Sequence, residues 1–295
     1  TSVSMNTTRV VSGSQDGTVK VWNKESGEVL HTLSSPRCGS VYAMKLNGNH
    51  IVSAAQDNQH SGQSLIVAWD LTSGLEIRTY ESHQGVIKGL AFDETTIISC
   101  SDNQTMKIWN HDCEETAALL RTFKGHTGSL NSIAMDDTHI LSGSDDYSMK
   151  LWDRESRALL HSFEGHASSV TAVAMDSSSF FSGASDNTIK AWSRTNFELE
   201  TTIAIDGGTV YCLAVDASYI VGGTSNYLVN VWDRATYELL RSCTGHGSYV
   251  WSVAIDDSSI LSGSYDRTVK LWNKVSGEEI RTYEGHGNYV TSVSM

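Results

Sequence analysis

Histidine, serine and aspartate recur along this chain at fixed intervals. His126 is followed by Ser142 and Asp146, His166 by Ser182 and Asp186, and His246 by Ser262 and Asp266. These are the side chains of a hydrolytic triad: a hydroxyl nucleophile, an imidazole base and a carboxylate that orients it. Their recurrence argues against that chemistry. An enzyme assembles one such site beside an oxyanion hole, whereas this chain repeats the set, and each copy ends ten residues after its serine on a tryptophan (Trp152, Trp192, Trp272). Ser12, Asp16 and Trp22 form a further copy with no histidine ahead of them. The catalytic site residues are therefore expected to be none, and the set is expected to be structural.

The tryptophans mark the elements that must position these residues. Trp22, Trp69, Trp109, Trp152, Trp192, Trp232 and Trp272 are separated by 47, 40, 43, 40, 40 and 40 residues. One full unit, "GHTGSLNSIAMDDTHILSGSDDYSMKLWDRESRALLHSFE", holds four short segments with alternating apolar residues, separated by turns rich in Asp, Ser and Gly. That pattern predicts antiparallel hairpins. Pro36 is the only proline, so nearly every residue keeps an N–H for a sheet ladder. The opening "TSVSM" recurs as residues 291–295, in phase with the repeat.

Gly-His, then Ser-Gly-Ser-x-Asp, then Trp-Asp at a period near forty resembles the WD-repeat β-propellers. The resemblance covers essentially the whole chain, 1–295, as a single WD-repeat domain. It implies an all-β, seven-bladed propeller of four-stranded antiparallel blades. It also implies that His, Ser, Asp and Trp are linked by hydrogen bonds within each blade. In that arrangement the C-terminal strand closes the ring beside "RVVSGS" in blade 1, and His286 completes the set of Ser12, Asp16 and Trp22. Residues 1–5 are then redundant; the competing expectation gives them that slot. Blade 3 carries His83, Ser99 and Asn103, while blades 2 and 6 lack the histidine and are expected to be weaker.

Composition narrows the partners. Acids outnumber bases 34 to 21, for a net charge of −13. With no basic run, the phosphate neutralisation that drives nucleic-acid binding is missing, and anionic membrane surfaces are disfavoured. No apolar run approaches the length of a membrane span, and "TSVSMNTTRV" lacks the basic-then-apolar order of a signal peptide. Five scattered cysteines without a CxxC fit neither a disulfide framework nor a zinc site, and favour an intracellular location, cytoplasmic or nuclear. No cofactor or metal is expected, and Asp57 and His60 are read as part of an exposed polar loop.

The resemblance implies that partners dock on the rim around the central channel. Aromatic residues cluster at positions flanking the start of the inner strands or the second turn: Tyr42, Tyr211, Tyr249, Trp251, Tyr265 and Tyr289, in blades 2, 6, 7 and 1. Tyr and Trp are enriched at interface hot spots. The expected function is a non-catalytic protein–protein interaction platform, a monomeric propeller within a larger assembly, that binds a protein or peptide with a basic or hydrophobic segment. A ubiquitin-ligase substrate receptor is a narrower version, although only Arg37 and Arg267 stand near the rim to read a phosphate. The alternatives are a scaffold subunit with several partners, and an engineered or permuted propeller without a specific ligand.

Overall fold

A computed structural model describes residues 8–111 and 119–295. The first five residues lie outside the described part, as does most of the extra segment of blade 3, residues 112–118. The described residues form seven four-stranded antiparallel sheets. Blade 4 shows how the sequence builds one. Its strands are Leu130–Met135, His139–Ser144, Met149–Asp153 and Leu159–Phe163. Aspartates make the turns: Asp136 Oδ1 accepts the N–H groups of Thr138 and His139 at 2.8 and 2.7 Å, and Asp153 Oδ1 accepts that of Ser156 at 2.6 Å. Asp176 and Asp256 make the same turn in blades 5 and 7, so side-chain carboxylates rather than prolines reverse the chain there. The turn between the second and third strands places Tyr147 in the left-handed region at φ 70°, a position filled by Gly17 in blade 1 and Asn187 in blade 5.

Burial follows the packing of blade against blade. All six residues of the second strand of blade 5, Ser179–Ala184, are buried, because each sheet is covered on both faces by its neighbours. The outer strands begin with exposed pairs such as Leu159 and Leu160. The core tryptophans Trp22 and Trp272 are each 1% exposed.

Blade 1 is built from both ends of the chain. Val290–Ser294 pairs with Arg9–Ser14, which continues to Val19–Asn23 and Val29–Leu33. The closing strand packs between the inner strands Val250–Ile255 of blade 7 and Cys38–Asn47 of blade 2. Ser292 Oγ accepts the N–H of Met44 at 3.0 Å and donates to its carbonyl at 3.1 Å. On the other side Val293 N–H donates to Ser252 Oγ at 3.1 Å.

Each inner strand carries a bulge near its start, at the strand's second residue in every blade but blade 2, where Tyr42 is the fifth residue of Cys38–Asn47 and a further shift lies between Cys38 and Val41. The register skips Tyr42, Lys88, Asn131, Thr171, Tyr211, Trp251 and Thr291. A bulge leaves one residue unpaired and re-aims its side chain, so these seven positions are the ones the fold turns away from the regular ladder.

Candidate functional site

The repeated polar sets form buried relays. In blade 4, Trp152 Nε1–H donates to Ser142 Oγ at 2.9 Å, Ser142 Oγ contacts His126 Nε2 at 2.9 Å, and His126 Nδ1 contacts Asp146 Oδ2 at 2.8 Å. The carboxylate only accepts, so Nδ1 carries the proton, and the serine hydroxyl donates to Nε2. Every proton in the chain then has an acceptor. Blades 5 and 7 repeat the geometry through Trp192, Ser182, His166 and Asp186, and through Trp272, Ser262, His246 and Asp266, with contacts of 2.7 to 3.0 Å. Ser142, Ser182 and Ser262 are fully buried, so no substrate reaches these hydroxyls. Burial pushes the His126 and His166 imidazoles below their ordinary value. Their contacts with aspartate are therefore hydrogen bonds from a neutral ring rather than ion pairs. Burial alone would raise Asp146, but hydrogen bonds from Ser148, Thr127 and His126 bring it down to about 2.

The same relay joins the two ends of the chain. Trp22 Nε1 donates to Ser12 Oγ at 2.8 Å, Ser12 Oγ meets His286 Nε2 at 2.7 Å, and His286 Nδ1 meets Asp16 Oδ2 at 3.1 Å. Gly287 N–H also donates to Asp16 Oδ2 at 2.8 Å. Burial opposes ionisation of Asp16, yet these bonds and that from Thr18 hold its carboxyl well below the usual range.

The irregular blades differ from one another. In blade 3, Thr105 Oγ1 stands between His83 Nδ1, at 3.1 Å, and Asn103 Oδ1, at 2.6 Å. With no carboxylate beside it, burial and then the Lys107 charge depress His83 to about 3. Blade 2, which lacks the histidine, keeps part of the network. Arg37 occupies the histidine's slot: its Nη2 donates to Asp57 Oδ2 at 2.8 Å across the same 20-residue separation that joins His126 to Asp146. Ser53 still accepts from Trp69 Nε1 at 2.8 Å. Asp57 is 4% exposed and also bonded to His60, so it belongs to the blade's polar core rather than to an exposed loop. Blade 6 has neither histidine nor serine. The Trp232 ring packs closely over Gly222, where an added Cβ would lie 3.0 Å from it.

The seven bulged residues divide into two groups. Asn131 Nδ2 donates to Asp145 Oδ1 at 2.7 Å and to the Val170 carbonyl of blade 5 at 3.1 Å, and Lys88 Nζ donates to Asn131 Oδ1 at 2.8 Å. Thr171 donates to the Val210 carbonyl, and Thr291 to that of Val41 at 2.7 Å. These side chains lock blade to blade. Tyr42, Tyr211 and Trp251 do not share that task. Tyr211, Trp251, Tyr265 and Tyr289 form a staircase of rings with successive centroids 4.5, 4.8 and 4.3 Å apart and interplanar angles of 30°, 16° and 15°. Tyr249 lies against Tyr211 and Tyr265 at 5.7 and 6.1 Å. Tyr249 and Tyr289 are 39% and 38% exposed; the others are half-buried. Burial and then the neighbouring Tyr211, Tyr289 and Tyr42 raise the Tyr265 phenol, so Tyr42 lies near the run but outside its stack. Tyr227, exposed at the second turn of blade 6 with φ 71°, packs on Tyr249 at 5.7 Å. Sequence reasoning missed it because it sits one residue past the turn's Asn226 rather than before it.

Also missed was a ladder of charge where the first turns meet the residue two after the tryptophans of blades 1, 4, 5, 6 and 7. Arg194 Nη2 reaches Asp136 at 2.6 Å, Arg234 Nε reaches Asp176 at 2.5 Å, Lys274 reaches Asp216 at 2.5 Å and Lys24 reaches Asp256 at 2.5 Å, each bridging to the preceding blade. Arg154 pairs with Asp93 in the same way. The signal was the recurring basic residue in "WDR", "WSR" and "WNK".

Comparison with known proteins agrees with this geometry. A family model described as WD domain, G-beta repeat matches residues 1–23, 74–110, 117–153, 157–193 and 237–273, more than half of the chain. The stretches left unmatched hold the first three strands of blades 2 and 6, where the relay is altered or absent. Among curated proteins the chain is similar to pre-mRNA-processing factor 17 of Homo sapiens, 25% identical over 112 residues, which are 36% of this chain and 18% of that protein. It is similar also to mitochondrial division protein 1 of Eremothecium gossypii, 30% identical over 108 residues, 32% of this chain and 15% of that one. The chain thus spans less than a fifth of the length of these relatives. Among solved structures, the crystal structure of the computationally designed Ika8 protein aligns over 98% of this chain and 88% of its own, with a TM-score of 0.76 and 31% identity. Repeats that anchor a buried tryptophan through serine and match one family model along more than half of the sequence settle the relationship: the chain belongs to the WD-repeat family of β-propellers.

Proposed function

We propose that this propeller is a non-catalytic recognition platform that binds a protein or peptide on the aromatic arc of blades 6, 7, 1 and 2. The observation that carries this reading is the division of the bulged residues. Those of blades 3, 4, 5 and 1 (Lys88, Asn131, Thr171 and Thr291) are spent on hydrogen bonds, whereas Tyr211 and Trp251 of blades 6 and 7 join Tyr265 and Tyr289 in a run with Tyr249 and Tyr227 beside it. Large rigid rings offer contact area at low entropic cost. The net charge of −13 favours a partner segment that is basic as well as apolar. A phosphate-reading receptor is the weaker version, since Arg37 is bound to Asp57 and only Arg267 remains. The free thiols Cys100 and Cys243, both buried, and the half-buried Cys212 fit an intracellular setting.

A second reading, a scaffold held at several places, draws on the exposed leucines at the start of the outer strands, among them Leu119, Leu159 and Leu239. A third, an engineered propeller without a ligand, draws on the likeness to a designed protein. One experiment separates them: pull-down from cell extract with wild type and Trp251→Ala, followed by affinity measurement on the isolated partner. The platform predicts a complex weakened by about 2 kcal/mol or more, roughly thirtyfold. Several complexes unaffected by the substitution would favour the scaffold, and no specific complex would favour the third reading.

A further inference from the structure

The lysine two residues before the core tryptophan follows a rule that blade 3 breaks. In blades 1, 4, 5 and 7 its ammonium crosses to a hydroxyl on the outer strand: Lys20 to Thr32 at 3.2 Å, Lys150 to Ser162 at 2.7 Å, Lys190 to Thr202 at 3.0 Å and Lys270 to Thr282 at 2.7 Å. In blade 3 Thr122 stands directly opposite Lys107, yet Lys107 Nζ turns to the Ser82 carbonyl at 2.5 Å. The local backbone explains the change. Ser82 takes the place of the glycine that precedes histidine in other blades, and the outer strand of blade 2, Glu76–Gln84, runs through it, still pairing His83 and Gln84 with Ser64 and Gln63.

A cavity of about 350 Å³ opens where the usual pair is missing, lined by Gln63, Ser82, Gln84, Thr105, Lys107 and Thr122 among others. The Ser82 hydroxyl oxygen is buried with no hydrogen-bond partner among the described residues. Glu81, also on the lining, lies 3.5 Å from Arg37, and among the described residues Lys107 forms no ion pair with a carboxylate. Burial lowers the Lys107 amine from its ordinary value, as befits an ammonium without a counter-charge. Its nearest aromatic neighbour, Trp109, has its ring centroid 5.5 Å away and supplies no anion.

We propose that this cavity between blades 2 and 3 is an oxyanion site, in which a carboxylate or phosphate group is neutralised by Lys107 and bonded by the Thr122 hydroxyl and the Gln63 or Gln84 amide. The site is independent of the aromatic arc. The oxyanion is either free in solution or an acidic side chain of a partner, and the test separates these.

Amide chemical shifts at residues 82, 107 and 122 are followed during titration with inorganic phosphate, and in parallel with a short peptide of alternating Glu and Gly, ionic strength being held constant with chloride. Wild type and Lys150→Gln are expected to bind saturably, Lys107→Arg to retain binding, and Lys107→Gln to bind at least tenfold more weakly. Thr122→Val keeps the ammonium and is expected to bind severalfold more weakly, so the result does not rest on one variant. Tighter binding of the peptide assigns the oxyanion to a partner; tighter binding of phosphate assigns it to a free ion. Failure of both probes to saturate, or equal binding by wild type and Lys107→Gln, overturns the proposal.

Discussion

A single serine hydroxyl holds each relay together, because it accepts from tryptophan and donates to histidine. Replacing Ser142 with alanine strands two buried groups, Trp152 Nε1 and His126 Nε2. A buried polar group left without its partner costs about 1–3 kcal/mol, so Ser142→Ala is expected to lower the free energy of unfolding by roughly 2 kcal/mol in urea denaturation. The histidines also set the response to acid. His83 has a folded pKa of about 3, against about 6.5 for an unfolded chain. The unfolded state therefore takes up the proton first. The stability is fully present above about pH 6.5 and is lost as pH falls from there toward 3. His126 and His166 shift in the same direction. Asp146, lowered to about 2, adds its loss only below about pH 4. Thermal midpoints should fall steadily from pH 7 to 4, and less steeply in His83→Gln; a midpoint that is flat over that range, or a slope unchanged by the substitution, would contradict this.

At the scale of strands and turns, the sequence was legible where one repeat copies another. The tryptophan register, the Asp-rich turns and the four alternating segments of each unit all followed from spacing. The bulge at Asn131, Thr171 and Trp251 did not, because a bulge is a property of pairing rather than composition. The charge ladder did not either: Arg234 and Asp176 lie 58 residues apart in different units, so no single repeat displays the pair. Blade 2 lacks the histidine, yet Arg37 keeps the histidine's sequence separation from Asp57, a pairing that the repeat pattern does not display. The structure leaves blade 6 as the one whose tryptophan lacks its serine. Hydrogen exchange should therefore show the amides of Val229–Asp233 opening more readily than those of Gln63–Asp70 or Val269–Asn273. Equal protection in blades 6 and 7 would mean that the relay contributes little to local stability.

For the whole molecule, closure is the event on which the rest depends. A ring of sheets with a gap between first and last blades would leave strand edges unpaired and apolar faces wet. The matched pentapeptides made closure visible in the sequence, but which copy filled the slot followed from chemistry: the strand at 290–294 brings His286 and Gly287 with it to Ser12 and Asp16. The aromatic arc spans this junction, since Tyr289 belongs to the closing segment and Tyr265 to the blade before it. The proposed recognition surface thus exists only in the closed ring. A double-mutant cycle between Ser12 and His286, 274 residues apart in the chain, tests that most directly. Unfolding free energies of Ser12→Ala, His286→Ala and the double variant should reveal a coupling of about 1 kcal/mol, whereas strictly additive losses would contradict closure through this strand.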